Sequence, residues 1–237
     1  SQFIVTMDKF YVICSVPLLL YVLIFLYFTR VRKNAFEERL ALFRPTRHLS
    51  QRREAYMQGM HKYHKYATIM LLVILSFPLI VLILSMFEGD YEKISKVYMA
   101  IPNDMKMIIL LVFVPIVMVY YLINYVLKRN EKAQRMLLEQ MSDDDFDLLL
   151  KVKDSLPFIS KYSPPFVLCN NQLYIFLFYA IREIDPAQIT EINWSTGRGG
   201  IFVQFKVPKK ITLGLSREGF YYFKAIIEKH NPELVFL

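Results

Sequence analysis

Cysteine, tryptophan and glycine are scarce in this chain. Its 237 residues include two cysteines, one tryptophan and seven glycines. Cys14 and Cys169 are far apart in sequence and fall in segments of different character. That argues against a disulfide and against a thiolate metal cluster. There are four histidines, His48, His61, His64 and His230. His61 and His64 sit three apart beside Lys62 and Lys65, a pattern that fits a basic helical face better than a metal centre. The acidic run Asp143, Asp144, Asp145 and Asp147 has Leu148 where a calcium loop needs glycine, so no calcium site is expected. Hydrolase, zincin and phosphate-loop motifs are missing as well. These absences point to a chain that is not an enzyme and uses no cofactor or metal.

A second set of absences concerns three apolar runs, at residues 10–28, 67–87 and 107–127. None contains Asp, Glu, Lys, Arg or His. An intramembrane ionisable group marks an ion path or proton relay, so transport by this chain alone is not expected. None contains glycine, which removes the close-packing GxxxG device. Each does carry a proline: Pro17, Pro78 and Pro115.

Each run approaches the roughly 20 residues that cross a bilayer as a helix. The first run lacks a cleavage site and a basic start, so it reads as a retained span and not a signal peptide. The expectation is therefore a multi-pass protein of the cell membrane, of bacterial inner-membrane type. Lysine and arginine set its orientation. Residues 30–65 carry Arg30, Arg32, Lys33, Arg39, Arg44, Arg47, Arg52, Arg53, Lys62 and Lys65, against Glu37, Glu38 and Glu54. Residues 88–106 carry Lys93, Lys96 and Lys106, and Lys128, Arg129, Lys132 and Arg135 follow the third run. The N-terminus is thus expected outside and the C-terminal region in the cytoplasm. The formal net charge of +8 fits anionic headgroups better than nucleic acid, for which no motif accompanies the basic residues.

The connecting segments read as helical. Phe36, Leu40 and Phe43, then Tyr56, Met60 and Tyr63, recur at helical spacing, with a turn near Pro45. Tyr91, Ile94, Val97, Tyr98 and Ile101 predict a short amphipathic helix on the outer side. Ser142 with Asp145 predicts a capped helix start. The layout is a three-helix membrane region at 1–130 with helical extensions, a helical linker at 131–160, and a small domain at 161–237.

In that last part the period changes to two. Residues 166–169 and 173–178 flank Asn170-Asn171, a hairpin signal. Runs at 189–194, 201–207 and 211–213 follow, and Ser216 opens an amphipathic helix to about His230, with Phe220, Phe223, Ile226 and Ile227 on one face. The fold class expected is an α+β membrane protein: three transmembrane helices, then a small antiparallel sheet closed by a C-terminal helix. The sequence Val167-Leu168-Cys169-Asn170-Asn171-Gln172-Leu173-Tyr174, with Ile184-Asp185-Pro186-Ala187-Gln188-Ile189 leading to Ile192-Asn193-Trp194, resembles the bacterial pleckstrin-homology-like domains of the YcxB-like group. The resemblance covers about the last third of the chain. It implies a sheet closed by one helix, carried by a membrane protein.

Gly197-Arg198-Gly199-Gly200 has the composition of an anion-binding nest. Arg198, Lys206, Lys209 and Lys210, with Arg47, Arg52 and Arg53 of the basic segment, are the candidate residues for lipid or anion binding. The leading functional expectation is a non-catalytic membrane subunit or adaptor in a transport, export or envelope complex, docking a protein partner through a strand edge. Membrane lipids and further copies of the chain are the other partners considered. The alternatives are an anionic-lipid sensor and an immunity-type membrane protein.

Overall fold

The computed structural model describes the backbone at residues 16, 19–31, 33–87 and 103–236; side chains at 28, 78, 79, 81–87, 103–112 and 115 are also left aside. The chain divides into two compact units. The first is Ser1–Val31 with Lys62–Lys128, and the second is Arg32–His61 with Arg129–Leu237. Residues 32–61 of the basic segment and the expected linker thus belong with the strands.

In the first unit, residues 19–26 form helix α1, which becomes π-helical over Tyr27–Val31. Helix α3, Gln51–Phe87, gives this unit its residues from 62 onward. Helix α4, Asn103–Leu138, gives it those up to 128. Both helices run on through their prolines, Pro78 and Pro115. Phe25, Leu122 and Val126 form a small core. Thr68 donates to Asn124 Oδ1 at 3.0 Å, joining α3 to α4.

Among the described residues, no helix is long and apolar enough to cross a membrane. This overturns the expected three-transmembrane-helix fold, the multi-pass location with an outside N-terminus, and with them the transmembrane assignment. The described apolar stretches of α3 and α4 are each shorter than the roughly 20 residues that a span needs. Described side chains of α3 pass from the charged stretch 51–65 into residues 67–77, and those of α4 begin at Phe113 and soon reach Lys128 and Arg129. Residues 10–15, 17 and 18 of the first expected run, a part of the side chains of the other two, and the expected helix at 91–101 lie outside the described residues.

In the second unit, helix α2, Ala35–Leu42, starts at a capping box. Asn34 accepts from the Glu37 amide at 2.8 Å, and Glu37 Oε2 accepts from the Asn34 amide at 3.3 Å. Such boxes satisfy amides that a helix start leaves open. Ser142 caps helix α5, Asp143–Asp154, and Ser216 caps helix α6, Arg217–His230. Strands β1, Phe166–Cys169, β2, Gln172–Phe176, and β3, Ile181–Ile184, make one antiparallel sheet in the order β1-β2-β3. Strands β4, Glu191–Gly197, β5, Gly200–Val207, and β6, Lys209–Leu215, make a second, in the order β4-β5-β6.

Two small sheets thus replace the single sheet expected. The β1–β2 turn uses Asn170 and Asn171 at φ 51° and 65°, the left-handed region that asparagine tolerates best after glycine. Strand β3 escaped the sequence reading because it is short and centred on Arg182 and Glu183. It follows a tight turn in which the Leu177 amide donates to Ala180 O at 2.9 Å.

All four residues of β1 are buried. Phe166, Leu168, Leu173 and Ile175 face one core, with the second sheet and α6. Val167, Cys169, Tyr174 and Ile181 face another, with α2, α4, α5 and the start of α3. Side chains alternate across a strand, so the β1–β2 hairpin is coated with apolar packing on both sides. The region expected as a linker supplies Leu137, Leu138, Met141, Phe146 and Leu149 to the second core. Gly59 of α3 is needed because a Cβ there would run into the Tyr162 ring.

Leu173 is fully buried, and truncating such a side chain costs about 2–5 kcal/mol. Leu173→Ala is expected to lower the unfolding free energy of the second unit by that amount. Urea unfolding followed through Trp194 emission checks it; a loss below about 1 kcal/mol would mean the hairpin is not sealed.

Candidate functional site

The candidate basic residues do not form one surface. Arg198 lies in the turn between β4 and β5, whereas Lys206, Lys209 and Lys210 flank the turn between β5 and β6. These are opposite ends of β5, whose length at ~3.3 Å per residue separates them by about 20 Å. Lys206 pairs in register with Lys210, beside Lys209 opposite Val207. In the basic segment, Arg52 bonds Asp147 at 2.7 Å. Arg53 bonds Asp143 and the Leu138 carbonyl, at 2.7 and 2.8 Å, and lies over the Phe146 ring. Arg47 is exposed, and its carbonyl accepts from Arg135 at 2.9 Å. The acids that open α5 therefore take up Arg52 and Arg53.

The histidines disperse too. His61 is exposed and faces Glu131 at 3.2 Å, and His64 is buried. His230 ties Ile226 O and Asn171 Oδ1, at 2.8 and 3.2 Å.

The groups whose ionisation is most displaced are packed inside. Burial pushes the Cys169 thiol up to about 12, helped by the charges of Asp145 and Glu183 and opposed by Arg53. Its Sγ faces the Leu137 carbonyl at 3.7 Å. Burial raises the Tyr56 phenol, whose hydroxyl donates to Gln134 Oε1 at 2.6 Å. Burial also raises Tyr174, with a further push from its hydrogen bond to Glu183. A thiol and phenols held protonated are poor nucleophiles.

The four outer strand edges differ in how they are protected. The edge of β3 is closed by α2: Ile181 donates to Glu37 Oε1 at 3.2 Å and accepts from Asn34 Nδ2 at 2.7 Å. Helix α5 lies against β1, and Asp145 takes the Asn170 amide at 2.9 Å. Strand β6 opens with Lys209 and Lys210, charges that discourage edge pairing. Strand β4 has neither device. From Ile192 to Gly197 it carries no charge and no proline, and all of it beyond Ile192 is exposed.

That edge already holds one pairing partner. Phe236 of the C-terminal tail makes an isolated parallel bridge to Ile192. Beside it lies an aromatic shelf. The rings of Trp194 and Phe220 are 5.3 Å apart, those of Phe220 and Phe236 are 6.3 Å apart, and Lys224 Nζ sits 5.3 Å over Phe236. Trp194 is 42% exposed although it faces the inner side of the sheet. Asn231, the α6 cap, aims the tail by donating to the Ile189 carbonyl at 2.9 Å. The sequence reading passed over this site. Its signal was the lone tryptophan in a strand with no other large exposed residue, and the apolar stretch Leu234-Val235-Phe236 after Pro232. No protein-family model, curated protein or solved structure matches the chain.

Two outcomes follow. Arg53 is largely buried and Arg52 is exposed, so Arg53→Ala is expected to cost about 2 kcal/mol of stability and Arg52→Ala under ~0.5; denaturant midpoints at constant slope check this. Second, iodoacetamide at pH 8 is expected to leave Cys169 unlabelled in the folded chain and to label it after urea unfolding, when the thiol returns to about 8.5. Mass spectrometry of the Cys169 peptide reads this out, and equal labelling rates in both states would contradict the packing.

Proposed function

We propose that this chain is a non-catalytic adaptor whose second unit docks an extended segment of a partner protein along the outer edge of β4. The observation that carries this is the Ile192–Phe236 bridge. Phe236 takes the first pairing position on this edge, and the strand beyond Ile192 is exposed for an extended partner segment. Strand addition supplies affinity through backbone hydrogen bonds and specificity through pockets for alternate side chains. Here the Trp194–Phe220 shelf would serve as the pocket, and the packing of Phe236 against Phe220 supports an aromatic or large aliphatic side chain as its occupant.

The inward position of the shifted cysteine and tyrosines supports a non-catalytic role. Two antiparallel three-stranded sheets followed by an amphipathic helix are in keeping with the likeness to pleckstrin-homology-like domains. The anion-binding alternative has less behind it, because Arg198 and Lys206–Lys210 stand at opposite ends of a strand, and Arg52 and Arg53 are paired with acids.

Trp194 is the only tryptophan, so its emission reports this edge directly. A peptide of residues 231–237 is expected to shift that emission to the blue, saturably, when added to the full chain carrying Phe236→Ala. Wild type, with its tail in place, should need more peptide. An unchanged spectrum for both proteins across the soluble range of peptide would sink the reading.

A further inference from the structure

The first unit holds a cleft that the docking proposal does not use. It has a volume of about 340 Å³ and lies between the α1 segment and α4, lined chiefly by Val22, Phe25, Leu26, Met118, Leu122 and Tyr125, with Thr29 and Arg30 on its border. That volume is at the low end of the ~300–1,000 Å³ of small-molecule sites. The walls are apolar. Val22 and Leu122 are buried, and the Phe25 and Tyr125 rings meet edge to face at 6.2 Å.

The polar groups are few and unequal. Thr29 is committed: its hydroxyl donates to the Phe25 carbonyl at 2.9 Å. The cleft's charged group is Arg30, which is exposed and has no acidic partner among the described residues. Arg30 and Thr29 both belong to the π-helical turn Tyr27–Val31. Turns of this kind are rare and gather at functional sites.

An apolar slot for one chain beside a guanidinium with no described acidic partner has the chemistry to hold an anionic amphiphile. We propose that this cleft binds a single-chain aliphatic carboxylate, its chain between Phe25 and Leu122 and its carboxylate on Arg30. A guanidinium matches a carboxylate with two parallel N–H···O bonds. The small volume selects one chain over two.

The test is calorimetric titration of the full chain with decanoate at pH 8, below its micellar concentration, against methyl decanoate as the uncharged counterpart. Decanoate is expected to bind saturably, one per chain, and the ester about tenfold more weakly, the factor that one charge-assisted contact provides. Arg30→Gln should bring decanoate down to the ester's affinity while leaving ester binding unchanged. Met118→Trp, which fills the slot, should abolish both, with circular dichroism confirming that helix content is kept. Equal binding of acid and ester, or an unaffected Arg30→Gln variant, would overturn the proposal. So would displacement of decanoate by didecanoyl phosphatidate at lower concentration, which would mark the site as one for a two-chain lipid.

Discussion

The second unit depends on one constraint, that the β1–β2 hairpin is buried on both faces. Strand side chains alternate, so a hairpin that is apolar throughout must have a partner layer on each side. On one side that layer is the β4-β5-β6 sheet with α6, around Phe205 and Phe223. On the other it is α2, the start of α3, the end of α4 and α5, around Phe36, Tyr56 and Phe146. Segments separated by some hundred residues are drawn together because Val167, Tyr174 and Ile181 would otherwise face water.

That gathering rewrites the electrostatics. The basic segment brings Arg39, Arg52 and Arg53 against Glu183, Asp147 and Asp143. Arg135 does the same with Glu54 and Glu139. Exposed pairs of this kind contribute little to stability. Their consequence is for binding: a stretch that is strongly basic in sequence becomes a mixed-charge surface once folded. Arg53 is the exception, since its guanidinium also satisfies the Leu138 carbonyl at the end of α4, one of the acceptors a helix terminus leaves open.

The same packing decides which strand edges stay free. Helices brought in to cover the hairpin's outer face also cover the edges of β1 and β3. Strand β6 has its lysines, Lys209 and Lys210, as protection. Strand β4, at the other edge of that sheet, is bridged by Phe236 at Ile192, and its residues beyond Ile192 are exposed. Exposed edges invite further strands, and here the invitation comes with an aromatic shelf that is partly occupied by Phe236.

How much of this the sequence disclosed depends on the range of the interactions. Local chemistry was legible. Asn170-Asn171 marked a turn, Ser142 and Ser216 marked helix starts, and the alternation of Ile201, Val203, Phe205 and Val207 marked β5, because each rests on neighbours within a few residues. The apolar runs read as three membrane spans from their composition. The structure corrects that reading among the described residues, where no helix carries an apolar stretch long enough to cross a membrane. The division into two sheets, the recruitment of residues 32–61 and 131–160 into the core, and the pairing of Arg52 and Arg53 with the acids of α5 were not legible. Each depends on contacts between residues distant in the chain, which no local pattern encodes. By itself the sequence determined where strands and helices begin and that no familiar catalytic motif is present. Only the tertiary structure decided which edge was left open, because that is set by which layers the buried hairpin had already claimed.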